Sequence, residues 1–303
     1  MKKSNVSILI VTISVVFYVI ERSWGELQDH RVFDLYHFSL VILAQLFFLL
    51  LTVRRTQLVI NAFSDNFIGY RKWLKLFLEG RIINNIAPQL GNVYRGVVMK
   101  RDGTFSYSVY ATSQIFYVWV DALFNVLLSI SMLLLFCEMQ GNYLSIFYAL
   151  CFVAIAFLFV PMSGRFLGEL DLPRWLSMFK DALGKSLSLI GNKVSCDLVF
   201  SLLVLGIISA VFFVSRIYVG FLIFGENLSF QDLVVFFALL KLSSVMLITP
   251  GNVGVQEVSM GLMSEFLGYG MAIGVAVMLT LRIYEYILYL LTWLALIPMA
   301  ARR

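Results

Sequence analysis

Two stretches of this chain set polar, helix-breaking residues inside otherwise apolar sequence, and each carries a charge, a guanidinium suited to holding an anion in the first and a carboxylate in the second. The first reads Asn84-Asn85-Ile86-Ala87-Pro88-Gln89-Leu90-Gly91-Asn92-Val93-Tyr94-Arg95. In hydrocarbon every backbone N–H and C=O must find a partner, so a Pro and Gly break is tolerated at membrane depth only where protein encloses it or a wet cavity adjoins it. Asn84, Asn85, Gln89 and Asn92 can bond the freed backbone groups, and Arg95 offers a planar fork of donors that suits phosphate. A helix starting near Leu90 would add the positive end of its dipole. Asn84, Asn85, Pro88, Gly91, Asn92 and Arg95 therefore form a candidate anion-binding set. The alternative is that Arg95 holds a helix end among lipid head groups beside Lys100 and Arg101.

The second stretch runs from Lys241 to Glu257 and contains Pro250-Gly251-Asn252-Val253-Gly254-Val255-Gln256-Glu257, with a carboxylate where the first has a guanidinium. Ionisable groups at membrane depth are costly, so Lys241, Glu257, Arg282 and Glu285 are expected to face the protein interior and pair. Arg282 and Glu285, three apart on one helix face, can pair with each other. Glu257 with Arg282 or Lys241 is the other arrangement, and spacing leaves both open. Asp121, between Trp119 and Phe124 in a long apolar run, needs protonation or a basic partner. Pro250, Gly251, Asn252, Gly254, Glu257 and Arg282 thus join the candidate substrate-binding set, with Asp121, Lys241 and Glu285 as candidate charge-coupling groups.

Signals for an enzyme are poor. The two histidines, His30 and His37, fall in one connection without metal-ligand spacing, and GxSxG, GxxxxGK[ST] and dinucleotide-binding fingerprints are missing. The cysteines, Cys137, Cys151 and Cys196, lie within or at the ends of apolar runs without CxxC spacing and read as buried thiols. No catalytic residue, metal or cofactor is assigned. Two other readings stay open: an enzyme acting on a membrane-embedded lipid with Glu257 or Asp121 as general acid or base, and a structural partner of envelope-synthesis enzymes.

The elements that must position these groups are helices in a bilayer. Of 303 residues, 60% are hydrophobic and 14% charged, against about 25% charged in a soluble domain. The mean hydropathy is +0.89. Apolar runs predict an all-α integral membrane protein with full spans near 5–20, 36–53, 104–137, 142–161, 195–222 and 271–299, while 73–98 and 232–268 are the broken stretches. The first run follows Lys2 and Lys3 without a small-residue cleavage site, so it reads as a retained helix rather than a signal peptide. The apolar face of 165–193 suits a helix lying on the membrane surface or a plain linker helix.

The net charge of +5 reflects basic connections on one side, not a nucleic-acid surface. Lys2 and Lys3, Arg54 to Lys75, Lys100 and Arg101, Arg165 to Lys193, and Arg302 and Arg303 alternate with acidic or mixed connections, which predicts cytoplasmic termini in the cell membrane. Six crossings already return the chain to its starting side, so each broken stretch must re-enter and leave on one side or cross twice. On the re-entrant reading the single transmembrane domain, 1–303, is an inverted repeat. Its halves are 1–140, broken near 84–95, and 141–303, broken near 249–257. The echo of Gly91-Asn92-Val93 in Gly251-Asn252-Val253, each near a Pro, supports that reading.

The pattern N-N-x-x-P-x-x-G-x-x-x-R at Asn84–Arg95, then Lys100-Arg101-Asp102-Gly103, Asp121 in a long span, Pro250 to Glu257 and Arg282 in the last span, resembles the flippase-like transmembrane domain. That domain occurs in lysylphosphatidylglycerol synthases and in stand-alone bacterial and archaeal membrane proteins. The resemblance covers nearly the whole chain. It implies movement of a lipid, a phospholipid or lipid-linked sugar, across the bilayer. The synthases' soluble aminoacyl-transferase domain is not expected here, so their catalysis is not carried over.

Overall fold

The computed structural model describes residues 35–84, 89–103, 105–136, 144–155, 193–245 and 254–300. The run at 5–20, the connection carrying His30, the stretch 165–192, both chain ends, and the break residues Asn85, Pro88, Pro250, Gly251 and Asn252 lie outside them. Nine helices and no strand are found among the described residues. They are α1 (Leu35–Phe63), α2 (Tyr70–Asn84), α3 (Leu90–Arg101), α4 (Tyr107–Phe136), α5 (Leu144–Ile155), α6 (Cys196–Ile223), α7 (Phe230–Val245), α8 (Val255–Phe266) and α9 (Met271–Ala300).

Four stretches are long and apolar enough to cross a membrane: Tyr36–Phe63, Tyr107–Phe136, Cys196–Ile223 and Met271–Leu296. At 1.5 Å per residue each exceeds the roughly 30 Å hydrocarbon layer. Their outer faces carry large exposed apolar side chains such as Leu135, Phe200, Val211 and Leu291, which lipid rather than water suits. Three of the expected spans match α4, α6 and α9 within three residues at each end. The fourth, expected at 36–53, continues ten residues further to Phe63. Arg54 and Arg55, expected in a basic connection, are therefore helical. α5 covers 144–155 of the run expected at 142–161.

The broken stretches divide into short helices. α2 and α3 have 15 and 12 residues, and α7 and α8 have 16 and 12. Lengths of about 18 to 24 Å leave each short of the hydrocarbon thickness.

The described chain falls into two compact units. One comprises the described residues of 54–69 and 96–206 and is built around Val59, Phe63, Phe116, Leu198 and Leu202. There Asn61 brackets Ile68 through both its amide groups, at 3.2 and 2.9 Å, and Gln57 donates to the Ile68 carbonyl at 2.8 Å. These bonds fold the end of α1 onto the connection that follows it.

The other unit comprises the described residues of 35–53, 70–95 and 207–300. Its closest helix pair is α8 and α9, brought together by small residues. A Cβ on Gly274 would lie 2.5 Å from the Met260 carbonyl oxygen and 2.5 Å from Ser264 Cβ, the close approach that small residues permit in membranes. The turn between them holds Gly268 and Gly270 at φ of 87° and 86°, and the Met271 N–H donates to Glu265 Oε2 at 2.8 Å. α9 also packs against α2, and α8 against α7.

Candidate functional site

At the first break α3 begins at Leu90, as the sequence predicts. Gln89 precedes it with φ 64° and its carbonyl accepts from the N–H of Asn92 and Val93 at 3.0 and 3.1 Å. Asn84, the last residue of α2, accepts the Gly91 N–H on Oδ1 at 2.7 Å, so one orphan donor of α3 is capped from the preceding helix. A Cβ at Gly91 would collide with the Gly80 carbonyl oxygen, and the two helices therefore cross with backbones touching. Tyr94 fastens the crossing by donating its hydroxyl to Glu79 at 2.9 Å.

Arg95 is 4% exposed, while Lys100 and Arg101 are exposed. Its side chain is thus withdrawn into protein, unlike those two. Its Nε donates to the Gly91 carbonyl at 3.3 Å and its Nη2 to Asn92 Oδ1. The guanidinium lies over the rings of Phe77 and Trp73, 5.1 and 5.7 Å from their centroids. Gly80 leaves the room for it, since a Cβ there would come 2.8 Å from Arg95 Nε. The expected residues Asn84, Gly91, Asn92 and Arg95 are brought together; Asn85 and Pro88 lie outside the described residues.

At the second break α8 begins after Gly254, whose φ of 88° suits glycine. Glu257 is fully buried and accepts the Gly254 N–H on Oε2 at 2.5 Å. Its Oε1 forms an ion pair with Arg282 Nε of α9 at 2.6 Å. Arg282, 7% exposed, also donates to Gln256 Oε1 at 3.2 Å and to the Tyr286 hydroxyl at 3.3 Å. Of the pairings that spacing leaves open, Glu257 with Arg282 is formed. Glu285 instead accepts the Tyr289 hydroxyl and stands 3.8 Å from Arg216. Lys241 lies against the rings of Phe213, Phe48 and Phe237, at 4.4, 5.2 and 5.9 Å.

Asp121 finds the basic partner that its position demands. Arg55 meets it at 2.6 Å, with side-chain exposures of 4% and 26%, and sits over the rings of Tyr117 and Phe124 at 5.6 and 5.9 Å. Burial and this carboxylate explain why Arg55 belongs to α1 and not to a basic connection. Arg216 is the residue that the sequence reading passed over. It stood inside the run expected at 195–222, and the rule that charge within a span signals function could have found it.

Outside the spans, Tyr269 in the α8–α9 turn donates to Asp232 Oδ2 at 2.6 Å. Desolvation first, then this hydrogen bond and the negative charge of Asp232, push its phenol up to about 12.

The family model described as the lysylphosphatidylglycerol synthase TM region matches residues 6–292, which include both breaks and every ion pair described above. No curated protein and no solved structure matches the chain. With apolar spans, two sets of short helices and charge paired inside them, the chain is a multi-pass membrane protein, and it belongs to the lysylphosphatidylglycerol synthase TM region family, a family linked to lipid handling.

Proposed function

We propose that this protein translocates a lipid with an anionic head group from one leaflet to the other. The observation that carries the reading is the buried Glu257–Arg282 ion pair, 2.6 Å apart, at the start of a helix too short to span. Taking two charges out of water costs several kcal/mol per ion, and ionisable groups kept at membrane depth mark pathways for polar cargo. A head group crossing along such groups avoids most of its desolvation cost while its tails stay in the bilayer.

In this reading Arg95 with Asn84, Asn85, Pro88, Gly91 and Asn92 receives the phosphate at the first break. Pro250, Gly251, Asn252 and Gly254 line the second, where Glu257 and Arg282 gate it. Asp121, Lys241 and Glu285 balance charge. The two breaks are re-entrant and equivalent, in halves 1–140 and 141–303 of an inverted repeat, with both termini cytoplasmic in the cell membrane. The repeat is supported by the helix lengths, 15 then 12 and 16 then 12 residues, and by a positive φ just before each 12-residue helix. Asn92 and Glu257 then correspond, each third in its helix. The Gly-Asn-Val echo falls out of register, because 91–93 lie in the first turn of α3 whereas α8 starts four residues past Gly251.

The test is transport of a fluorescent phosphatidylglycerol in reconstituted vesicles. Glu257→Gln and Arg95→Gln, each checked for a monodisperse folded state, should abolish it. Undiminished transport in both variants would sink the assignment.

A further inference from the structure

A second cationic centre is built where α1, α6 and α7 present Gln45, Arg216 and Lys241. Arg216 is 8% exposed and donates through Nη1 to Gln45 Oε1 at 2.5 Å; Gln45 is 2% exposed. Arg216 lies 4.3 Å from the Phe213 ring centroid and 4.8 Å from that of Phe48. Lys241 Nζ lies 4.4 and 5.2 Å from the same two centroids. Two cations on different helices thus share one pair of rings, themselves 5.6 Å apart. Their separation cannot exceed the sum of the two Phe213 distances, and at low dielectric like charges so placed repel strongly. Glu285 supplies the largest charge effect on Arg216, an attraction, and Arg81 and Arg282 add positive potential against it.

Arg216 and Gln45 each leave one donor unmatched at this centre. Arg216 Nε and Gln45 Nε2 are buried donors without a hydrogen-bond partner, and a buried donor left unmade is destabilising. Glu285 is the carboxylate facing Arg216, but at 3.8 Å it stands beyond hydrogen-bond reach, and it accepts the Tyr289 hydroxyl instead. An anion with several oxygens would accept from both orphan donors and relieve the repulsion, and a guanidinium fork fits phosphate best.

We propose that Arg216, Gln45 and Lys241 form a binding site for the phosphate of an anionic phospholipid, walled by Phe48 and Phe213, and that this phosphate displaces Glu285 from the field of Arg216. The ligand class rests on the translocation reading; the site rests on the local geometry.

Purified protein in detergent is titrated with short-chain phosphatidylglycerol and, separately, phosphatidylcholine, with inorganic phosphate as competitor. The wild type should prefer phosphatidylglycerol. Arg216→Gln and Lys241→Gln should each weaken it about tenfold, the loss of one charge-assisted bond, and Arg216→Lys should retain part of the affinity. Glu285→Gln should tighten binding, because it removes the internal competitor; a merely structural role for Glu285 predicts no such gain.

Competition by inorganic phosphate would identify the phosphate as the recognised group. Its failure, with Arg216→Gln still weakening the lipid, would assign the site to the lipid alone. Unchanged phosphatidylglycerol affinity in Arg216→Gln and Lys241→Gln overturns the site. Should Arg216→Gln fail to fold, unchanged or weaker binding by Glu285→Gln overturns it. If these affinities behave as stated but wild-type vesicles move no lipid, the translocation reading falls and the site stands. If transport proceeds and the preference survives in Arg216→Gln, the site falls and translocation stands.

Discussion

The two broken stretches solve one problem in different ways. At the first, the guanidinium of Arg95 is held by groups of its own helix pair: Asn92, the Gly91 carbonyl and the rings of Trp73 and Phe77. At the second, the carboxylate of Glu257 caps its own helix and reaches Arg282 on α9. One charge is held within a hairpin; the other ties a short helix to a full span. A local arrangement can adjust within a few residues, whereas a pair on two helices couples their positions, which suits a part that moves.

The sharpest way to break this comparison is to remove one partner at the second stretch. Arg282→Met should destabilise the protein by about 3–5 kcal/mol, leaving Glu257 buried and uncompensated, while Glu257→Gln/Arg282→Met together should recover much of the loss. Heat-dependent loss of the monodisperse peak in detergent measures both. Equal damage in single and double variants would mean that the pair does not couple α8 to α9.

At the first stretch the crossing matters more than the charge. Gly91→Ala places a methyl on the Gly80 carbonyl oxygen and should cost roughly 1–3 kcal/mol. Gly80→Ala meets the Arg95 side chain rather than backbone and should cost less; the same thermal assay ranks them. Asn84→Ala removes the acceptor for the Gly91 N–H, with an expected loss of about 1 kcal/mol. Slower hydrogen exchange at Gly91 in that variant would contradict the capping role.

The smallest effect concerns Tyr269, near the second stretch but outside the spans. Its phenol is raised to about 12, so the folded state holds this proton more tightly than the unfolded chain. The stabilisation is complete below the ordinary tyrosine value of about 10 and is lost as pH climbs through about 12. A slight fall in melting temperature across that window should vanish in Tyr269→Phe.

Much of this architecture could be read from residues alone. Long, predominantly apolar runs located α4, α6 and α9, and Gln89-Leu90-Gly91 placed the start of α3, because helix length and helix breaking are properties of neighbouring residues. The end of α1 lies beyond the expected boundary, which Arg54 and Arg55 set by resembling a basic connection. Asp121, far along the chain, makes a buried Arg55 tolerable. Arg216 was overlooked within a run whose apolar neighbours outweighed a single charge.

The sequence by itself determined that apolar helices would be long, that two segments would break, and that Asp121, Glu257 and Arg282 would require partners. The tertiary structure decided which partners they took: Arg55 for Asp121, and Arg282 for Glu257 in preference to Glu285. It also decided that Gly80 and Gly91 would touch and that Arg216 and Lys241 would share two rings. Helical period fixes which side chains share a face of one helix. Which faces meet depends on where helices cross, and that is set by packing along their whole length.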